Sequence, residues 1–254
     1  MDIEHILECL VIAYRASFII GVCSLAAAKY CLPEFLQYGK TLVGRANTRQ
    51  WKMPLLAKLI HLTVPKSFFS HFYYLSSSLS ILATINYPRA PIVWLILIHS
   101  LRRLYETKYI CTYTAHSRMN WSHYVVGIWF YSSLHMLLNI SLLENEIPAS
   151  FGFISTIIFI LASMDQCKNH QTLSSLIKYS LPTDGMFKIV CCPHYLDEIL
   201  IYGSFTRYNR AFWWPLAWVT LSLSISALEN KKYYVAKFKE TGQVPKWAIV
   251  PLVL

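Results

Sequence analysis

The sequence is short of charge: Asp, Glu, Lys and Arg make up 14% of its 254 residues, against 55% hydrophobic and 15% aromatic. With a mean hydropathy of +0.39, this excludes an ordinary soluble domain and points to a multi-pass membrane protein. Nucleotide-binding and hydrolytic signatures are also missing. There is no GxGxxG after a strand, no GxxxxGK[ST], no HExxH and no GxSxG, which removes support for a soluble dinucleotide fold, a P-loop, a zincin and a serine hydrolase. The seven cysteines form no CxxC pair and the nine histidines no HxxxH cluster, so the cysteines read as reduced packing residues and no metal site is expected. No cleavable signal or internal repeat stands out. The first apolar run carries Arg15, lacks a basic leader and reads as an anchor.

What is present is a series of apolar runs, roughly 6–28, 67–87, 92–109, 121–142, 149–165, 187–206 and 211–228. Each is long enough, or nearly so, for a bilayer crossing, which predicts an all-α integral membrane protein of seven helices. The basic residues test that count. Residues 29–66 carry seven Lys or Arg, 102–118 four, 168–188 three and 231–246 five, together nineteen of the twenty-three. These are the loops after the odd-numbered spans and the tail, so the positive-inside rule gives a lumenal N-terminus and a cytosolic C-terminus. The net charge of +10 is spread through loops and forms no stripe, so no nucleic-acid partner is expected. Asn120 and Asn139 begin NxS sequons, one on the cytosolic side and one within a span, and neither is expected to carry a glycan.

The chemistry concentrates in Leu181 to Leu200, where LPTDGMFKIVCCPHYLDEIL sets Asp184, Lys188, His194, Tyr195, Asp197 and Glu198 in an apolar chain. Ionisable groups kept in such a helix usually face a protein-lined or wet cavity. The alternative is a helix cap at the bilayer surface, with Pro193 in the first turn and the carboxylates near the positive end. Other polar groups fall at the same predicted side: His99, Arg102, Arg103, Tyr105 and Glu106; Asp165, Gln166, Lys168, Asn169 and His170; Glu229, Asn230, Tyr233 and Tyr234. Arg103 and the lysines suit a phosphate-bearing ligand, although each alone also suits a lipid headgroup.

With these residues in view, the chain resembles the steroid 5α-reductase family. VPKSFFSHFYYL (64–75), HSLRRLYET (99–107), the LPTDGMFKIVCCPHYLDEI segment and the ending YYVAKFKETGQVPKWAIVPLVL resemble its polyprenol (polyprenal) reductase branch of fungal type, over nearly the whole chain. The resemblance implies a single domain, 1–254, with the cofactor-binding part at about 99–254. It implies a multi-pass enzyme of the endoplasmic reticulum membrane that uses NADPH to saturate the α-isoprene unit of a long polyprenal or polyprenol. Such an enzyme supplies dolichol for dolichyl phosphate and protein N-glycosylation. Membrane lipid is the expected surroundings, and no obligate protein partner is evident.

Carried over position by position, the family's cofactor-binding residues fall on Arg103, Gln166, His170, Tyr179, Glu198, Asn230 and Tyr234. Two departures matter. The steroid enzymes' enone-gripping tyrosine is Ser100 here, and Lys58 stands at the place aligned with their catalytic glutamate. With both missing, His194 and His71 are the catalytic candidates. Hydride adds to an alkene only when a conjugated carbonyl accepts the developing charge, so polyprenal rather than polyprenol is the expected immediate substrate. The other readings are a 3-oxo-steroid or sterol double-bond reductase and a non-enzymatic lipid-binding protein.

Overall fold

The computed structural model describes residues 3–36, 54–114, 116–177, 180–240 and 244–254, and these are mainly helical. The long helices are α1 (Ile3–Cys31), α3 (Phe69–Asn86), α4 (Pro91–Tyr105), α5 (Trp121–Leu143), α6 (Phe153–Ser175), α7 (Pro193–Phe205) and α8 (Trp213–Lys237), with a short α2 (Pro54–His61) before α3. Each of the seven predicted apolar runs overlaps one of the long helices. Among the described residues, three stretches, Glu4–Cys31, Trp121–Leu143 and Arg210–Lys237, are long and apolar enough to cross a membrane by length and composition. The other long helices fall short for visible reasons. Helix α7 has 13 residues and α4 has 15, against the roughly 20 that a crossing needs. Helices α3 and α6 are interrupted in hydropathy by serines and by the polar end DQCKNHQTLSS.

Local chemistry sets the helix starts. Pro91 and Pro193 occupy the first turns of α4 and α7, where a missing N–H costs nothing and the fixed φ suits a helix. Asn120 caps α5 by accepting the Ser122 N–H at 3.0 Å, and its amide donates to the Ile60 carbonyl at 2.7 Å. Hydropathy could not reveal the small ribbon that carries this cap. Strands β1 (Thr63–Pro65) and β2 (Arg118–Asn120) pair antiparallel, Thr63 opposite Asn120 and Pro65 opposite Arg118.

The core sits where α3 packs on α4 and α5, α7 on α6 and α8, and α1 on α5 and α8. Tyr14 and Phe18 are the buried face of α1; Phe18 meets Trp129 at 4.9 Å and Trp129 meets Trp218 at 5.1 Å between ring centroids. Other α1 side chains, including Ile12, Ile19 and Ile20, are exposed. Helices α3 and α5 approach closely at Gly127, where an added Cβ would lie 2.5 Å from the buried Phe72 ring. Small residues at crossings permit this approach in membrane bundles. The tail folds back on the segment before α7: the Cys191 and Cys192 N–H groups donate to the Trp247 and Ala248 carbonyls, both at 2.9 Å.

Candidate active site

Helix α4 does not end at Tyr105 but continues through a π-helical turn, Glu106–Ile110, a deformation often found at functional sites. The turn leaves Glu106 completely buried with cations around it. Arg102 Nη1 pairs with one carboxylate oxygen, and Arg103 Nη1 reaches the other at 2.5 Å. Although consecutive residues on a helix project about 100° apart, both guanidinium groups meet one acid. The longer arginine side chains and the position of Glu106 three and four residues on allow it. Arg103 Nη2 also donates to the Tyr73 hydroxyl of α3 at 2.9 Å.

Helix α6 supplies the next layer. The His170 Nδ1 lies 2.7 Å from Glu106 Oε2 and 2.8 Å from Arg103 Nη1. Carrying a proton it donates to the acid; without one it accepts from the arginine. Gln166, one helical turn earlier and almost fully buried, accepts from Arg102 Nη2 at 2.6 Å. Its amide donates to Glu198 Oε2 at 2.5 Å and to the His194 carbonyl at 3.0 Å, both on α7. His99 Nε2 is 3.6 Å from Glu198 Oε1. Asn169 donates to Asp197 at 2.8 Å and to Asp165 at 3.2 Å. One connected network therefore joins α4, α6 and α7, and through Tyr73 it touches α3.

Of the residues expected from sequence, Arg103, Gln166, His170, Glu198 and His194 come together here. The His194 ring lies 5.6 Å from His170 and 4.3 Å from Tyr195, centroid to centroid. Asn230 of α8 joins through Tyr195, whose hydroxyl accepts from its amide at 3.3 Å. Tyr234 sits one turn on, buried in a cluster with Cys191, Cys192, Ala227, Ala248 and Ile249. His71 lies elsewhere. It is exposed, contacts the Tyr124 hydroxyl at 3.2 Å and lines a polar cavity of about 460 Å³ with Lys108, Cys111 and Tyr113. Tyr179 lies outside the described residues.

Among the participants without a role in the sequence reading are Arg102, Glu106 and His99. The spacing of Arg102 and Arg103 from Glu106, four and three residues, was the available signal. Ser100 is fully buried and bonded to Ser76 at 2.7 Å, and Ser76 lies 3.0 Å from the buried His135 Nε2. Lys58 is exposed.

The network holds four acids, two arginines and three amides. Residues 104–254 match the family model described as 3-oxo-5-alpha-steroid 4-dehydrogenase. The chain is 54% identical over 253 residues to a polyprenal reductase of Saccharomyces cerevisiae, covering 100% of this chain and 99% of that protein. It is 25% identical over 308 residues to a polyprenal reductase of Danio rerio, covering 96% of each. A polyprenal reductase of Oryza sativa is 26% identical over 200 residues, covering 61% of this chain and 56% of that protein. The chain belongs to the steroid 5α-reductase family, and its similarity to the polyprenal reductases of that family extends along its full length.

Proposed function

We propose that this chain reduces the α-isoprene double bond of polyprenal with NADPH, as a seven-span protein of the endoplasmic reticulum membrane with its N-terminus lumenal and its C-terminus cytosolic. Its product supplies dolichol for dolichyl phosphate and N-glycosylation. The observation that carries the reading is the 54% identity, end to end, with the yeast polyprenal reductase. The cytosolic placement of the cofactor is supported by the basic loops, whose positive charge follows the membrane rule.

The residues fit a phosphate-bearing dinucleotide. Both Arg102 Nε and Arg103 Nε are buried without a hydrogen-bond partner, so two charged donors stand ready for an anionic oxygen. Arg103 and Arg102 would hold phosphate, while Gln166, His170, Glu198 and Asn230 offer the donors and acceptors that ribose hydroxyls and a carboxamide need. Tyr234 supports that wall, and Tyr179 joins the set on resemblance. NADPH, when bound, supplies hydride to the β-carbon of the conjugated aldehyde. The protein must exclude water, hold the aldehyde in line and give a hydrogen bond and then a proton to the oxygen where charge develops. His194, in the network, and His71, at the polar cavity, are the histidines within this reading.

A steroid substrate is less well supported. Ser100 is bonded to Ser76, and Lys58 points to the surface, so neither reproduces the enone grip. In detergent, NADPH should raise the melting temperature of the protein, because a ligand that binds only the folded state stabilises it by mass action. A folded protein whose melting temperature NADPH leaves unchanged would refute the cofactor assignment.

A further inference from the structure

Three tyrosines from three helices surround the interior end of the arginine–glutamate network: Tyr73 of α3, Tyr131 of α5 and Tyr202 of α7. Their exposures are 5%, 6% and 1%. The Tyr73 and Tyr131 rings meet at 5.5 Å, Phe130 stands 5.5 Å from Tyr202, and Tyr202 lies edge-on to His99 at 5.8 Å. All three hydroxyls are within electrostatic reach of Glu198 and Arg103. They occupy the boundary between the charged network and the apolar interior.

Two of these hydroxyls are in unusual states. Tyr73 Oη accepts from the Arg103 guanidinium, which stabilises the oxygen once the phenol proton has gone, and the Tyr131 hydroxyl is its other partner. Tyr202 Oη is buried and has no partner at hydrogen-bond geometry, with the Tyr131 hydroxyl among the groups that act on it. A buried, unsatisfied hydroxyl is costly, and native proteins rarely keep one without a use. A site built to bind an oxygen carries this cost until its ligand arrives.

We propose that the hydroxyls of Tyr202 and Tyr73 together receive the carbonyl oxygen of the α,β-unsaturated aldehyde, Tyr202 as a fixed hydrogen-bond donor and Tyr73 as the proton donor. This rests on the polyprenal reading and names the groups that carry it out. As hydride from the dihydronicotinamide forms the C–H bond at the β-carbon, the C=C electron pair moves to make an enolate. The Tyr73 proton passes to its oxygen, and the Tyr73 phenolate beside Arg103 is reprotonated from water. Tautomerisation of the enol moves that hydrogen to the α-carbon and gives the saturated aldehyde and oxidised nicotinamide.

Tyr202→Phe separates this role from a structural one. Removing an unpartnered buried hydroxyl should raise the melting temperature without ligand by a few degrees, while kcat for polyprenal falls about 10-fold or more and NADPH-dependent stabilisation persists. Tyr73→Phe should lower kcat by about 10²-fold or more at saturating NADPH and lessen the solvent deuterium effect on turnover. If wild type turns over polyprenal but both variants stay within twofold of its kcat, the tyrosine assignment is wrong and the polyprenal reading stands. A wild type that binds NADPH yet leaves polyprenal unchanged overturns the reading and the clamp with it. Should Tyr73→Phe fail to fold, Tyr202→Phe decides alone: lower stability together with unchanged kcat contradicts the proposal.

Discussion

The side-chain carbonyl of Gln166 accepts from Arg102 Nη2 at 2.6 Å while the amide of the same residue reaches Glu198 on another helix. One neutral side chain thus bridges a partly buried cation and a partly buried anion. Gln166→Leu keeps the bulk and removes both links. Because it removes hydrogen bonds to two charged groups, it should cost about 1.5–3 kcal/mol of stability and raise the KM for NADPH. Thermal denaturation with and without cofactor checks both parts; an unchanged melting temperature would show the bridge to be incidental.

The adjacent arginines should not behave as a residue and its silent control. Arg103→Lys and Arg102→Lys each keep a charge but lose the planar fork, so both should raise the cofactor KM with the fold intact. Only Arg103→Lys also releases Tyr73, and it alone should lower kcat at saturating NADPH. Steady-state kinetics on the two variants distinguish these effects, and an unchanged KM in either would reassign that arginine to lipid contact.

Glu106→Gln offers a sharper view of the cluster. Loss of the buried acid leaves two guanidinium groups without their counter-charge, which should lower stability by about 3–5 kcal/mol. A bound phosphate would replace part of that charge, so NADPH should recover more melting temperature in this variant than in wild type. Equal recovery in both would argue against phosphate at these arginines.

Much of the fold could be read in the sequence because long apolar runs favour helices in an apolar setting. Each such run overlaps a helix, and the starts at Pro91, Trp121 and Pro193 follow from proline and asparagine chemistry. The polar ends were less legible. Hydropathy stopped at residues 165 and 228, whereas α6 and α8 continue to Ser175 and Lys237, and Gln166, His170, Asn230 and Tyr234 lie on those extensions. Their spacing of four residues within each pair puts each on one helical face. The role of Glu106 depended on a π-helical turn, which no apolar periodicity encodes. Tyr73 stands next to His71 as a reserve proton donor in the sequence, whereas Tyr131 and Tyr202 escape notice because they are remote in sequence from it and from each other.

His194 is placed by its backbone carbonyl, which accepts from Gln166, and by its ring beside His170, two of the proposed cofactor residues. His194→Asn should therefore raise the NADPH KM several-fold and change kcat much less than Tyr73→Phe does. A fall in kcat of about 10²-fold at saturating NADPH, the scale of a lost general acid, would return the proton-donor role to the imidazole.

The folded-back tail packs against Tyr234, one of the proposed cofactor residues. Ile249 is fully buried in the cluster that contains Tyr234 and Cys192. Ile249→Ala should cost about 2–5 kcal/mol and weaken NADPH-dependent stabilisation, since Tyr234 and the start of α7 rest on the same packing. Retention of full NADPH-dependent stabilisation in the variant would separate the tail from cofactor binding.

The most direct measurement supplies purified protein in lipid with NADPH and, in parallel, polyprenal or polyprenol of one chain length, and follows the α-isoprene double bond by mass spectrometry. Polyprenal should gain two hydrogens, one of them from the cofactor, and polyprenol should remain unchanged for want of a conjugated carbonyl. Brisk saturation of the alcohol without any aldehyde, or no reduction of the aldehyde by folded, NADPH-binding protein, would contradict the assignment.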